Sequence, residues 1–215
     1  MKPFTVVEGI AAPLPAADID TDQILPARFM HEPRVDYGRY CFHDLRFDAQ
    51  SGARREGFVL NRAPFAAATL LVAGSNFGCG SSREQAVHTL ADYGIRALIA
   101  AGFGDIFATN CLKNGLLPVR VAHALADALL RQIETQPGLR VCIDLPAQTV
   151  SAAGGWHTQF DIDPFYKEAL LAGRDEIDTT LLLAAQIDAY EAQRIRASAP
   201  VAVATRIGRS FQGNT

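Results

Sequence analysis

The sequence predicts an α/β fold, on three observations. A continuous apolar run from Ala66 to Ala73 breaks into a glycine-rich loop and then into a segment with helical apolar spacing. A second apolar run, Arg96 to Ala101, completes a strand-loop-helix-strand unit, and Asp105 to Val121 repeats the pattern. Alternation of buried strands with amphipathic helices marks an α/β core. With 215 residues, 49% of them apolar and 20% charged, the chain can bury such a core and does not have the composition of a disordered one.

Taken in order, Phe4 to Asp48 has short apolar runs broken by prolines and acidic turns, which predicts irregular structure with brief strands. Thr69, Leu70, Leu71 and Val72 centre the strand predicted over 66–73, of a length suited to burial on both faces. Ala86, Val87, Leu90 and Ala91 then follow helical spacing, and Gly94 ends that helix. Asp105 to Asn114 predicts a helix stopped by Gly115, Leu116 to Val121 a strand, and Ala122 to Gln136 a helix. Val141 to Leu145 and Thr149 to Ser151 read as strands about a Pro146 turn, and Trp156 to Ile162 as a segment that closes a small sheet. Pro164, a favoured first helical residue, opens a helix to Leu171, and a last helix is predicted over Leu181 to Ile195. Residues 1–196 are read as a single domain, and the small, polar, basic residues 197–215 as a mobile tail.

Charge and cysteine usage narrow the function. The formal net charge of -3 gives no electrostatic case for nucleic acid. No membrane-length apolar stretch and no convincing secretory signal are found, so a cytoplasmic location is expected. Cys41, Cys79, Cys111 and Cys142 are widely scattered, without the clustered spacing of a zinc or iron-sulfur site. If the chemistry needs a metal cluster, a partner must supply it.

The richest segment is Gly74-Ser75-Asn76-Phe77-Gly78-Cys79-Gly80-Ser81-Ser82-Arg83-Glu84. Its glycines permit tight turning and close approach to a ligand, and its hydroxyls and guanidinium stand where a helix start favours an anion. A phosphate loop would need a lysine that is missing, and a dinucleotide fingerprint would need a third glycine where Arg83 stands. Ser81 with Glu84, or Ser82 with Gln85, fits a capping box, so one serine is expected to cap the helix and the other to face a ligand. Cys79 near the helix start is a candidate nucleophile if the dipole lowers its pKa. Arg83 suits a bidentate carboxylate contact or, equally, a salt bridge to Glu84 or another nearby acid. The five histidines are scattered, and none is tied by spacing to Cys79. Asp18-Ile19-Asp20-Thr21-Asp22 lacks the glycine and glutamate of a calcium loop and predicts a turn, with Ile24-Leu25-Pro26 packed behind it.

Three segments together, Asp18 to Arg28, Asn76 to Glu84, and Asp105-Ile106-Phe107 with Lys113 to Pro118, resemble the small subunit of 3-isopropylmalate dehydratase, related to the swivelling domain of aconitase. The resemblance runs from about Val6 to Ala192. It implies a swivelling β/β/α three-layer domain and a hydro-lyase shared between two chains, active only with a large subunit. That large subunit is expected to carry a [4Fe-4S] cluster, in a heterodimer or heterotetramer, and the substrate to be a small hydroxy-diacid. Ser81 is then implied as the base, Arg83 as a substrate ligand and Ser82 as its support. The segment after the Asp-Thr-Asp motif, Phe29-Met30-His31-Glu32-Pro33-Arg34, is implied to shape the pocket for the substrate's side group, and Arg28, Phe29 and Met30 to bind substrate. Phe29 and Met30 suit an isopropyl group, whereas Arg28 and Arg34 suit a further carboxylate, which keeps methylmalate, dimethylmalate and homoaconitate open. A free-standing anion-binding protein and a non-catalytic assembly module are the readings from other classes. Relatives commonly carry His directly after Ser-Ser-Arg-Glu; this chain has Gln85.

Overall fold

The computed structural model describes residues 1–198, which fall into a unit spanning Met1–Glu176 and a second that begins at Ile177. In chain order the elements are β1 (Val6–Leu14), α1 (Thr21–Ile24), α2 (His43–Arg46), β2 (Leu70–Ala73), α3 (Glu84–Tyr93), β3 (Ala97–Ala100), α4 (Asp105–Lys113), β4 (Leu117–Arg120), α5 (His123–Thr135), β5 (Arg140–Asp144), β6 (Thr149–Ala152), β7 (His157–Gln159), α6 (Pro164–Ala172), α7 (Glu176–Leu181) and α8 (Ala184–Ser198). No described helix is long and apolar enough to cross a membrane.

The first departure from expectation is β1, one nine-residue strand where irregular structure with only brief strands is predicted. It is shared by two arrays, in the sheet order β4-β3-β2-β1-β5-β6-β7. Its first half, Val6 to Ile10, pairs antiparallel with β5, and its second half, Ala11 to Leu14, pairs parallel with β2. Each half therefore has ladder partners on one side. Pro13, opposite Val72, lies in the half that β5 does not pair, so its missing N–H breaks no antiparallel ladder. Glu8 is tolerated because it faces outward, where its carboxylate takes a 2.6 Å bond from Arg140 Nε across the sheet.

Strands β2 and β3 are buried at every position and sit inside the parallel array, which is why they read as unbroken apolar runs. The predicted strand over 66–73 is shorter than expected, since Phe65–Ala67 forms a 3-10 turn before β2 begins. Helix α5 lies across β1, β2 and β3 and buries Ala126, Leu129, Leu130 and Ile133, one face at helical spacing. Each of the larger side chains contributes about 1.5–3 kcal/mol by leaving water. Pro164 stands in the first turn of α6, as predicted; Asp163 caps the helix, accepting from the Phe165 N–H at 2.8 Å, and Gly173 ends it.

At the C-terminal side, the helix predicted over Leu181 to Ile195 is two helices, α7 and α8, with Leu182 and Leu183 between them. Of the tail expected from 197, the first two residues continue α8, and 199–215 lie outside the described residues.

Candidate active site

Loops that leave the carboxyl ends of neighbouring parallel strands form the crevice in which α/β sheets bind ligands. Here the loop after β2 (74–83) and the loop after β3 (101–104) meet, with Phe77 bridged to Phe103. The segment 18–22 is zipped along the first of them. Asp18 N–H donates to Ser75 O at 3.0 Å, Gly78 N–H to Ile19 O at 2.7 Å, and Thr21 N–H to Cys79 O at 3.1 Å. Asn76, at φ +57°, a region that Asn enters more readily than most residues, donates its amide to Asp18 Oδ1 at 2.7 Å across to the other segment. The Thr21 hydroxyl, 2% exposed, donates to Ser81 O at 2.9 Å.

The Asp-rich turn is itself rigid. Asp20 accepts from Gln23 N–H at 2.7 Å and gives its own N–H to Gln23 Oε1 at 3.0 Å, a complete capping box for α1. Ile24 and Leu25 are fully buried behind it, as the sequence predicts. Gly78 and Gly104 let the two loops touch: a Cβ on Gly104 would stand 2.6 Å from Gly78 O.

Between the loops opens a cleft of about 330 Å³, lined by Asn76, Gly78, Cys79, Gly80, Ser81, Ser82, Gly104, Asp105, Ile106 and Phe107. Ser81 and Ser82 are both exposed. Neither caps the helix, which corrects the expectation that one would. The N-cap position falls on Arg83, at φ -132° and ψ 103°, with no side-chain cap bond, because the chain stays extended for one residue longer than the capping-box spacing allows. Among the described residues, no protein partner meets the N–H or hydroxyl of either serine. Two alcohols with unpaired backbone amides beside them thus line a cleft next to the start of α3, where the helix dipole favours negative charge.

Arg83 is engaged by Asp22, its guanidinium bonded to the Asp22 carboxylate. The salt-bridge alternative read from the sequence is thus the one present, although the partner is Asp22 and not Glu84. Glu84 turns the other way: it accepts from Asn114 Nδ2 at 2.8 Å, and the same amide donates to Asn110 O at 2.9 Å. Asn114 Oδ1 then faces His88 Nε2 at 3.0 Å, so that nitrogen is the donor. Burial, followed by the charge of Arg34, lowers the His88 pKa. Asn114, which ties the end of α4 to the first turn of α3, was visible in the sequence only as part of a motif.

Arg28, Phe29 and Met30 do not line this cleft. Arg28 donates to both carboxylate oxygens of Asp44, one at 2.8 Å, and lies over the Phe29 ring. That contact, with a smaller share from His43, holds the Asp44 carboxyl down at about 2. Phe29 stacks on Tyr40 at 4.2 Å between centroids and tilts against His43 at 4.7 Å. Met30 follows, half-buried, and its carbonyl lies 3.4 Å from the Tyr37 hydroxyl.

Cys79 does not have the lowered pKa of a helix-start nucleophile. Desolvation, then the charges of Asp18 and Asp20, raise it. Desolvation and these two carboxylates outweigh a dipole whose first turn begins further along the chain. Raising a thiol pKa leaves less thiolate at neutral pH, so in a Cys142→Ser background the alkylation rate of Cys79 should climb with pH to an inflection above about 8.5, the value of a free cysteine. An inflection at or below that value would contradict this electrostatic account. Cys41 and Cys111 are buried, the former pushed up to about 12. The cysteines do not form a cluster ligand set, and among the described residues no three His, Cys, Asp or Glu side chains gather where they could hold a metal ion.

Residues 1–124 match the family model of the aconitase C-terminal domain, and residues 127–164 match the model named LeuD_N. A 3-isopropylmalate dehydratase small subunit from Rhodospirillum centenum is 45% identical over 195 residues, covering 90% of this chain and 96% of the relative. One from Bacillus licheniformis is 45% identical over 195 residues, covering 90% and 97%. The crystal structure of 3-isopropylmalate dehydratase from Methanocaldococcus jannaschii superposes with a TM-score of 0.61 at 26% identity, covering 86% of this chain and 99% of that one. Given this coverage, and the cleft that brings the serine loop and the first turn of α4 together, the chain belongs to the small-subunit family of 3-isopropylmalate dehydratase, on the aconitase C-terminal fold.

Proposed function

We propose that this chain is the closing half of a two-chain hydro-lyase that interconverts 2-isopropylmalate and 3-isopropylmalate by dehydration and rehydration, a step of leucine biosynthesis. The observation that carries the reading is the Ser81-Ser82 pair lining the cleft, its hydroxyls exposed and without protein partners among the described residues, in a chain 45% identical to small subunits of that enzyme. In the forward direction Ser81, as an alkoxide, accepts the proton from the carbon next to a carboxylate, the C–O bond breaks with its electron pair going to oxygen, and the departing hydroxyl takes a second proton from an acid of the large subunit to leave as water. Rehydration returns both. The Ser82 hydroxyl and the loop amides bind the substrate carboxylate, with Arg83 swinging from, or shared with, Asp22. Phe29 and Met30, which lie outside the cleft of this chain alone, are assigned to the isopropyl group; Arg28, paired with Asp44, would serve a further carboxylate that isopropylmalate lacks.

The large subunit brings the [4Fe-4S] cluster, whose chemistry is Lewis-acid activation of the substrate hydroxyl and carboxylate. This chain brings the proton transfer and the exclusion of water. Assembly as a heterodimer or a heterotetramer serves the same division, in the cytoplasm. The names of the relatives favour isopropylmalate over methylmalate, dimethylmalate and homoaconitate, and favour a subunit over a free-standing anion binder or a bare assembly module.

Anaerobic co-expression with a candidate large chain tests the reading. Turnover of isopropylmalate is expected only from the mixture, with kcat/KM at least about tenfold above that for methylmalate, since each methylene in an apolar pocket is worth about 1–3 kcal/mol. Turnover by the isolated chain, or none by the complex on any of these acids, would reject it.

A further inference from the structure

Of the contacts along the Asp-Thr-Asp turn, one is made by a buried side-chain hydroxyl and lands on the serine that the proposed chemistry uses. Thr21 is 2% exposed, and its Oγ1 donates to the Ser81 carbonyl at 2.9 Å. Its own N–H holds Cys79 O at 3.1 Å, so one residue grips the loop on both sides of Gly80. Thr21 cannot drift, because α1 is closed by the Asp20-Gln23 capping box and by the Leu25 N–H to Thr21 O bond of 2.9 Å. Gly80, at φ +85°, would otherwise leave this part of the loop free to turn.

We infer that Thr21 is a positioning residue for the reaction, its hydroxyl setting the depth and rotation of Ser81 at the cleft. A trans peptide places the Ser82 N–H antiparallel to the Ser81 carbonyl. Holding that carbonyl on Thr21 therefore turns the Ser82 N–H away from the Asp-Thr-Asp turn, and this amide is among those without a protein partner. The same bond thus orients two things at once: the Ser81 side chain and an amide able to meet a carboxylate. The following pair, Asp22 on Arg83, repeats the alignment one step along the turn. Released from Thr21, Ser81 keeps its hydroxyl but loses its fixed place, and a reacting group displaced by about 1 Å loses on the order of 100-fold in rate.

This inference rests on the reading of Ser81 as base, and the test separates the two. Thr21→Val removes the hydroxyl at nearly constant volume, Thr21→Ser keeps it, and Ser81→Ala is assayed alongside, all in the complete two-chain complex. Rates are taken per assembled complex from gel filtration. Thr21→Val should lower kcat by about 10- to 100-fold while KM moves by less than about threefold, and Thr21→Ser should return kcat to within about threefold of the parent. A merely structural role would lower the assembled fraction and leave kcat per complex intact. Wild-type kcat in Thr21→Val with an inactive Ser81→Ala would overturn the role of Thr21 alone; an active Ser81→Ala would overturn the base assignment instead. Equal losses in Thr21→Val and Thr21→Ser would also overturn it. If Thr21→Val does not assemble, Thr21→Cys, a weak donor of similar size, is compared with Thr21→Ser, and equal kcat in the two would be decisive against it.

Discussion

Ser81→Ala should lower kcat of the assembled complex by about 10³-fold or more while leaving assembly unchanged. A positioned general base contributes about 10²–10⁴-fold, and 10³ corresponds to about 4 kcal/mol of barrier. Assembly is spared because the Ser81 hydroxyl is exposed and bonds to no protein group among the described residues, so removing it opens no cavity. Ser82→Ala should act chiefly on KM, since that hydroxyl is assigned to holding a carboxylate. Turnover of Ser81→Ala within tenfold of the parent would remove Ser81 from the chemistry.

The electrostatics around Ser81 say why the chain needs its partner. A serine alkoxide requires a surplus of positive potential, and the sequence suggests one in a glycine loop, a helix start and an arginine. In the folded chain the arginine is bonded to Asp22, and Asp18 and Asp20 lie near enough to raise the Cys79 thiol. Carboxylates that disfavour a thiolate two residues away disfavour an alkoxide too. The amides of Ser81 and Ser82, unpaired among the described residues, are given to the substrate carboxylate, so the positive potential that the alkoxide needs must come with the partner.

Gly78→Ala is expected to have the largest effect on stability. Gly78 sits at φ +72°, where an L side chain costs about 1–2 kcal/mol. An added Cβ would also lie 2.2 Å from Cγ of Phe107, a ring only 3% exposed that packs edge-on against Phe77 at 5.6 Å. Overpacking of this kind costs about 1–3 kcal/mol, for a total of about 2–5 kcal/mol, a large part of the roughly 5–15 kcal/mol that holds a domain together. Urea denaturation reads the change as a lower midpoint at constant slope. Shortening the ring, in Gly78→Ala with Phe107→Leu, should recover part of the loss relative to the sum of the single changes, because the clash is shared and the dihedral strain is not. A loss below about 1 kcal/mol for Gly78→Ala would show that the loops do not pack as closely as their coordinates indicate.

The parallel half of the fold was legible because its signals are local. Runs such as Leu70–Ala73 and Ala97–Ala100 are apolar on both faces, the α5 stripe repeats at helical spacing, and Gly94, Pro164 and Gly173 punctuate helices within one turn of where they stand. The start of the chain was misread because β1 obeys no single local rule. Half of it answers to β5 and half to β2, partners more than fifty residues away, and only that division makes room for Pro13 and an outward Glu8.

The candidate site divides the same way. By itself the sequence determined the family, the serine loop with its glycines and the Asp-Thr-Asp turn, since each is a short string whose residue types state their chemistry. Tertiary structure alone decided that the turn is zipped to the loop, that Arg83 answers to Asp22, that Asn114 links Glu84 to His88, and that neither serine spends its hydroxyl on a helix cap. Spacing along a chain reports which groups are available, whereas partners sixty residues apart, such as Thr21 and Ser81, are chosen by the packing of β1, β2 and α3 that brings their segments together.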